Sequence, residues 1–301
     1  MTITYAGLVD DVLLKLSGYT LRQDRTTHLT ENLSDSGLNI SLGSVSNIGK
    51  GVIEIDDELI WLDSYDRVGS TGLAAPYGRG YQGTEAVAHL VNSKVTIAPA
   101  FPKNSVKVAI NEALEGLYPT LYAIGRHSFT YNTTVNTYEL PADVQSIQSI
   151  TWSTIGPTKE WIPIRNWRQD SMANTDSFAS GNSLTVYDNI DSGRTIQITY
   201  TKIPPALTTS ASNDIFETVT GLASSVKDVV VYGACYRLAS FMDAGRLNYS
   251  SAEADNADSK IQYGSGASNA RFFLALYNQR IKEESAKLKD LYPTRIHYTR
   301  Y

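Results

Sequence analysis

Cysteine is almost absent from this sequence: Cys235 stands alone among 301 residues. One thiol excludes an internal disulfide framework and any cysteine-based metal cluster, and its place in an apolar stretch suits a reducing compartment. Long apolar runs are missing as well. The best, Val229 to Tyr236, stops at Arg237, well short of the roughly 20 residues that span a bilayer. The opening Met1-Thr2-Ile3-Thr4 lacks the basic stretch and apolar block of a secretory signal, so none is expected. Charged side chains make up 19% of the residues. An average domain has ~25%, so neither a disordered chain nor a charge-driven coiled coil fits. The expectation is a soluble globular protein of about two units, at roughly 100–200 residues per domain.

The net charge of −5 is unevenly spread. Residues 1–100 carry 7 basic and 12 acidic side chains, residues 101–220 carry 8 and 11, and residues 221–301 carry 11 and 8. No face is basic enough to predict tight phosphate binding. An acidic body with a basic end is compatible with copies stacking end to end, although an ordinary solvated surface explains it better.

Catalytic and metal signatures are also lacking. The four histidines, His28, His89, His127 and His297, are far apart, with no paired metal spacing. No Gly-x-Ser-x-Gly elbow is present. Gly78-Arg79-Gly80-Tyr81-Gln82-Gly83 has dinucleotide-fingerprint spacing, but Ala74-Ala75-Pro76-Tyr77 precedes it and no acid occurs between Glu85 and Glu112. Gly43 to Lys50 resembles a phosphate loop whose glycines are one residue too far apart. Glu54, Asp56 and Glu58 alternate; a hairpin with a polar outer face explains that better than a cation site. No enzyme, cofactor or metal is expected.

What is present is an alternation of two periodicities. Tyr5, Leu8, Val9, Val12, Leu13 and Leu16 line one face of a helix ending near Gly18. Between about Thr26 and Ile97 the period falls to two, around an Asp56-Asp57 turn. A helix capped by Asn104 or Ser105 carries Val106, Ile110, Ala113, Leu114, Leu117 and Leu121, and Pro119 should kink it before Gly125. Strands return over Phe129–Leu140, Ile147–Ile155 and Trp161–Ile164. Leu184–Tyr187 and Thr195–Tyr200 read as a hairpin. Helices follow over Ser224–Ala244, Ser251–Lys260 and, after Gly264-Ser265-Gly266, Asn269–Leu291. The predicted fold class is α+β, a discontinuous helical bundle with two inserted small antiparallel β modules. Its parts are an N-terminal helix (1–24), a first small β domain (25–100), a bundle helix (101–126), a second β domain (127–210), C-terminal helices (221–293) and an arm (294–301).

Tyrosine is abundant, 19 against 7 Phe and 4 Trp, which suits wet protein–protein contacts or solvent-facing strands. The arm, with Arg295, Ile296, Tyr298, Arg300 and Tyr301, alternates apolar and polar residues. It fits an edge strand added to a neighbour as well as it fits a frayed tail.

The stretch Gly78-Arg79-Gly80-Tyr81-Gln82-Gly83-Thr84-Glu85-Ala86-Val87-Ala88-His89, after Ile53-Glu54-Ile55 and Glu58-Leu59-Ile60 and before Lys94-Val95, resembles a pattern of tailed-bacteriophage virion proteins. Arg79, Gly80, Gly83, Thr84 and His89 would make a tight β connection there. The glycines permit the turn, and Thr84 and His89 hydrogen-bond its backbone. Val106–Leu114 leading to Leu117-Tyr118-Pro119, Tyr138–Val144, Trp161–Ile164 and Ile198–Tyr200 before Pro204-Pro205 resemble phage head-to-tail adaptor (connector, neck) proteins. The resemblance implies a structural virion protein, made in the host bacterial cytoplasm. It further implies a ring, often of twelve copies, between the portal protein and the next neck or tail protein. Double-stranded DNA would pass through its channel during genome ejection, with no membrane contact. A tail-tip or baseplate component is the alternative, and a glycan-binding or cell-wall hydrolase module a third.

Overall fold

A computed structural model describes residues 2–18, 24–156, 158–208, 213–240 and 265–293. The first helix, α1 (Tyr5–Ser17), is capped by Thr4, whose hydroxyl accepts the Gly7 N–H at 3.1 Å. Six strands follow: β1 (Arg25–His28), β2 (Asn39–Ser41), β3 (Gly51–Ile55), β4 (Glu58–Asp66), β5 (Thr71–Ala74) and β6 (Lys94–Ile97). They form one antiparallel sheet in the order β1-β6-β3-β4-β5-β2. The sheet curls until its edges meet. Leu29 bridges Leu42, and Thr30 N–H reaches Ser41 O at 3.0 Å. Curling buries part of every strand but β1, so Ile40, Leu42, Ile53, Ile55, Ile60, Leu62 and Val95 make a core of their own.

Helix α2 (Lys103–Glu115) leads into the second β region: β7 (Ala123–Thr130), β8 (Thr137–Glu139), β9 (Ser146–Ser153), β10 (Trp161–Pro163), β11 (Trp167–Asp170), β12 (Ser183–Val186) and β13 (Thr195–Lys202). A four-stranded sheet, β10-β9-β13-β7, and a three-stranded sheet, β11-β12-β8, enclose a core that includes Leu140, Ile150, Leu184, Val186, Ile196 and Ile198. The helices α3 (Phe216–Thr220), α4 (Lys227–Ser240) and α5 (Ser265–Leu291) complete the described chain. Val229, Val230, Val231, Ala234, Cys235 and Leu238 are buried. That nearly all-round apolar surface places α4 between α1, α2 and α5 in the third core.

The predicted helical bundle carrying small β modules is corrected. Among the described residues, thirteen strands in three sheets accompany five helices, and β-sheet builds two of the three apolar cores. Each β region buries enough apolar surface for an independent core. The expected hairpin of Leu184–Tyr187 with Thr195–Tyr200 does not form. β12 pairs with β8 and β11, whereas β13 pairs with β7 and β9, so the intervening turn hands the chain from one sheet to another. Helix α2 ends at Glu115 with Gly116 as its cap, so Pro119 lies beyond the helix and kinks nothing. The helix predicted for 251–260 lies outside the described residues.

Candidate functional site

The predicted motif residues come together on the curled sheet. Gly80 (φ 61°) and Gly83 (φ 78°) both occupy left-handed backbone, where a side chain is disfavoured. They fold 80–84 against the edge of β4. Thr84 Oγ1 fixes the turn by accepting the Leu59 N–H at 3.1 Å and donating to Tyr81 O at 2.9 Å.

Arg79 and His89 turn inward to Glu58, a partner that sequence reasoning missed. Arg79 donates Nε to Glu58 Oε1 at 2.7 Å and Nη2 to Oε2 at 2.9 Å; its Nη1 reaches the carbonyls of Ser34 (2.6 Å) and Gly37 (2.7 Å). The amides of Gly80 (3.0 Å) and Val87 (3.2 Å) also donate to Glu58. His89 Nε2 lies 2.8 Å from Glu58 Oε2, and Nδ1 lies 2.9 Å from Asp56 Oδ2. The imidazole therefore binds carboxylates, not the turn's backbone as expected. The backbone of His89 pairs in both directions with Leu33.

The side chains of Glu58, Arg79 and His89 are 0%, 7% and 1% exposed. Burial by itself raises the Glu58 pKa, but the hydrogen bonds from His89, Arg79, Gly80 and Val87 reverse this and hold it down to about 2. Burial pushes the His89 pKa down, and the bonds to Glu58 and Asp56 carry it above its ordinary value. Five donors converge on one carboxylate with about four lone-pair sites, which leaves no acceptor capacity for a substrate. Chemically, the cluster is a clasp that holds the 79–89 loop.

The same hairpin tip grips α2. Glu54, 6% exposed, accepts the Lys103 N–H at 2.6 Å, and Lys103 Nζ donates to Asp56 O at 3.0 Å. Lys107, 3% exposed, places its ammonium 3.1 Å from Asp57 and over the Tyr5 ring. The cap of α2 is thus Glu54, supplied from another element, and not Asn104 or Ser105. Glu54 and Glu58 are buried, so the alternating acids are not a solvent face. Among the described residues, no group of three or more His, Cys, Asp or Glu is placed to hold a metal ion, and no helix is long and apolar enough to cross a membrane.

An open groove of about 470 Å³ runs between α2 (Val108, Glu112, Glu115) and Ile203-Pro204. The tyrosines divide: Tyr5, Tyr131 and Tyr200 are buried, whereas Tyr77 and Tyr187 face solvent. The arm residues Arg295, Ile296, Tyr298, Arg300 and Tyr301 lie outside the described residues.

Fold and clasp together describe a protein of three apolar cores, two of them tied to each other by the Lys107–Asp57 ion pair and by the cap that Glu54 gives α2. The SU10 adaptor protein family matches residues 84–288, from the clasp's Thr84 through α2, both sheets of the second β region and nearly all of α5. The chain belongs to this family of phage adaptor proteins. Strands β1 to β5, with Arg79, Gly80 and Gly83, precede the matched span. No curated protein matches the chain.

Proposed function

We propose that this chain is a head-to-tail adaptor, assembling as a ring between the portal and the next neck or tail protein, with DNA passing through the ring. It works by geometry, as a spacer that grips its own copies, and carries no reactive centre. The family match over 84–288 is the observation that carries this reading. The structure supports it through the ties between modules. Glu54, Asp57, Lys103 and Lys107 fix the curled sheet to the helical core, so a load on one is passed to the other. A net charge of −5 disfavours retention of DNA by phosphate contacts.

The test is electron cryo-microscopy of virions in which this subunit carries a density label. A closed ring of label at the neck is expected. Label at the tail tip, or particles that lack the protein yet join heads to tails, would overturn the reading.

A further inference from the structure

The two edges of the four-stranded sheet are built differently. β10 is three residues long and ends in proline. Thr154 N–H reaches Glu160 O and Ile164 N–H reaches Ile150 O, both at 2.9 Å. The even-numbered residues of β10 therefore bond to β9, and Trp161 and Pro163 turn their backbone outward. Pro163 offers no N–H, which guards that edge.

The opposite edge, β7, runs eight residues without a proline and, among the described residues, pairs with β13 alone. Tyr131, just past its end, donates to Arg194 O at 2.8 Å, in register with Thr130 opposite Thr195. The odd-numbered residues thus bond to β13. Ile124, Arg126, Ser128 and Thr130 point their N–H and C=O groups away from the sheet. An unguarded edge of this length is a template for one more strand.

The last eight residues of the sequence, Thr-Arg-Ile-His-Tyr-Thr-Arg-Tyr, match that edge in length. They contain no Gly or Pro, and five are β-branched or aromatic. Laid antiparallel with Tyr301 opposite Ile124, they put Arg295 opposite Thr130 and Ile296 opposite Phe129, whose ring stacks on Tyr138 at the margin of the second β core. The two arginines then fall beside acids that each already face a cation, Asp143 with Lys202 at 3.4 Å and Asp191 with Arg194 at 3.0 Å, so strand pairing and not charge carries the register. Arg300 faces Gly125, over which the Tyr200 ring lies while its hydroxyl donates to Asp143 at 3.0 Å. Arg295 faces the turn carrying Asp191, which Gly193 N–H ties to Tyr131 O at 2.8 Å. Arg126, the cation in the middle of β7, meets only Thr299.

We propose that the β7 edge binds residues 294–301 of a second copy in this antiparallel register. The proposal rests on the ring reading and supplies it with a heterologous contact, one patch meeting a different patch, as ring closure requires.

Ser128 and His297 would be directly opposite, with Cα atoms about 5.5 Å apart, within disulfide reach. Ser128 is exposed, and the native Cys235 is buried and does not compete. Virions assembled from a mixture of Ser128→Cys chains and His297→Cys chains should yield disulfide-linked dimers on non-reducing gels. Trp161→Cys in place of Ser128→Cys should yield none. Absence of the dimer in particles that an amine cross-linker still ladders into multimers overturns the arm pairing and leaves the ring. Single copies only under the amine cross-linker overturn the ring and the arm together. A doubly substituted chain that closes on itself overturns the assignment to a second copy. Ser128→Pro removes one outward N–H; it should melt as the parent does yet enter virions at under a tenth of the parental level. Parental incorporation overturns the proposal.

Discussion

Glu58 and His89 meet inside the first module with Oε2 2.8 Å from Nε2, both side chains out of contact with water. The other ring nitrogen faces Asp56, so each nitrogen must donate and the imidazole is held as the cation. The two groups are shifted in opposite directions, Glu58 downward and His89 upward. The Glu58 pKa is depressed, so its contribution to stability is present above the ordinary carboxylate range and is lost as pH falls toward about 2. The His89 pKa is raised, so its contribution is full below its unfolded value of about 6.5 and is lost as pH rises through the folded value. Amide-exchange protection of β3 and β4, corrected for the intrinsic rate, should plateau between these limits and fall on both sides. His89→Gln should remove the alkaline fall, and a profile unchanged by that substitution would show that the imidazole is not its source.

Arg79→Ala leaves Glu58 buried beside a vacated guanidinium site and strips donors from the carbonyls of Ser34, Gly37 and Val87. Removing one partner of a buried ion pair costs about 3–5 kcal/mol. Arg79→Lys keeps the charge but loses the two-pronged contact, so an intermediate loss is expected. Urea denaturation of the three proteins, followed by exchange in β3 and β4, checks the order. β9 and β13, in the other β core, should be unaffected.

Much of this was legible in the residues, and the failures have physical causes. The stripe Tyr5, Leu8, Val9, Val12, Leu16 announces α1, and the helix core takes up those residues. The sequence Arg79 to His89 announces a constrained turn, because Gly80 and Gly83 carry positive φ. The clasp's other half was hidden. Glu58 sits in an alternating acidic run that reads as a wet hairpin face. It is buried because Arg79 and His89 arrive from 21 and 31 residues away to neutralise it. An acid within an otherwise apolar strand such as Glu58–Leu62, followed downstream by Arg and His in a Gly-rich turn, was the available signal. Strand pairing failed for a similar reason. Proximity favours a β12–β13 hairpin, yet β13 has alternating residues that suit the centre of another sheet, flanked by β7 and β9.

Glu54 is the only side chain among the described residues that caps the start of α2, since the residue in the cap position is Pro102. Glu54→Ala should cost about 1 kcal/mol, the usual price of a lost helix cap. Glu54→Gln, which retains an acceptor, should cost less. The loss is expected first as faster amide exchange at Lys103 to Val106, and unchanged exchange there would mean that α2 is held without the cap.

Gly125 and Tyr200 face each other across β7 and β13, and a Cβ on Gly125 would come within 2.4 Å of the Tyr200 ring. That ring has little freedom to retreat: it is 5% exposed and its hydroxyl is bonded to Asp143. Gly125→Ala therefore forces an overpacked contact, which costs about 1–3 kcal/mol in a dense core. Tyr200→Ala alone opens a cavity and loses the Asp143 bond, a loss of about 3–5 kcal/mol by analogy with other aromatic truncations. In the double variant the added methyl enters space that the ring has left. The double-mutant cycle should then show a favourable coupling of about 1 kcal/mol or more. Strict additivity in chemical denaturation would mean that β7 moves aside, and that the edge it presents is less rigid than the Gly125–Tyr200 contact implies.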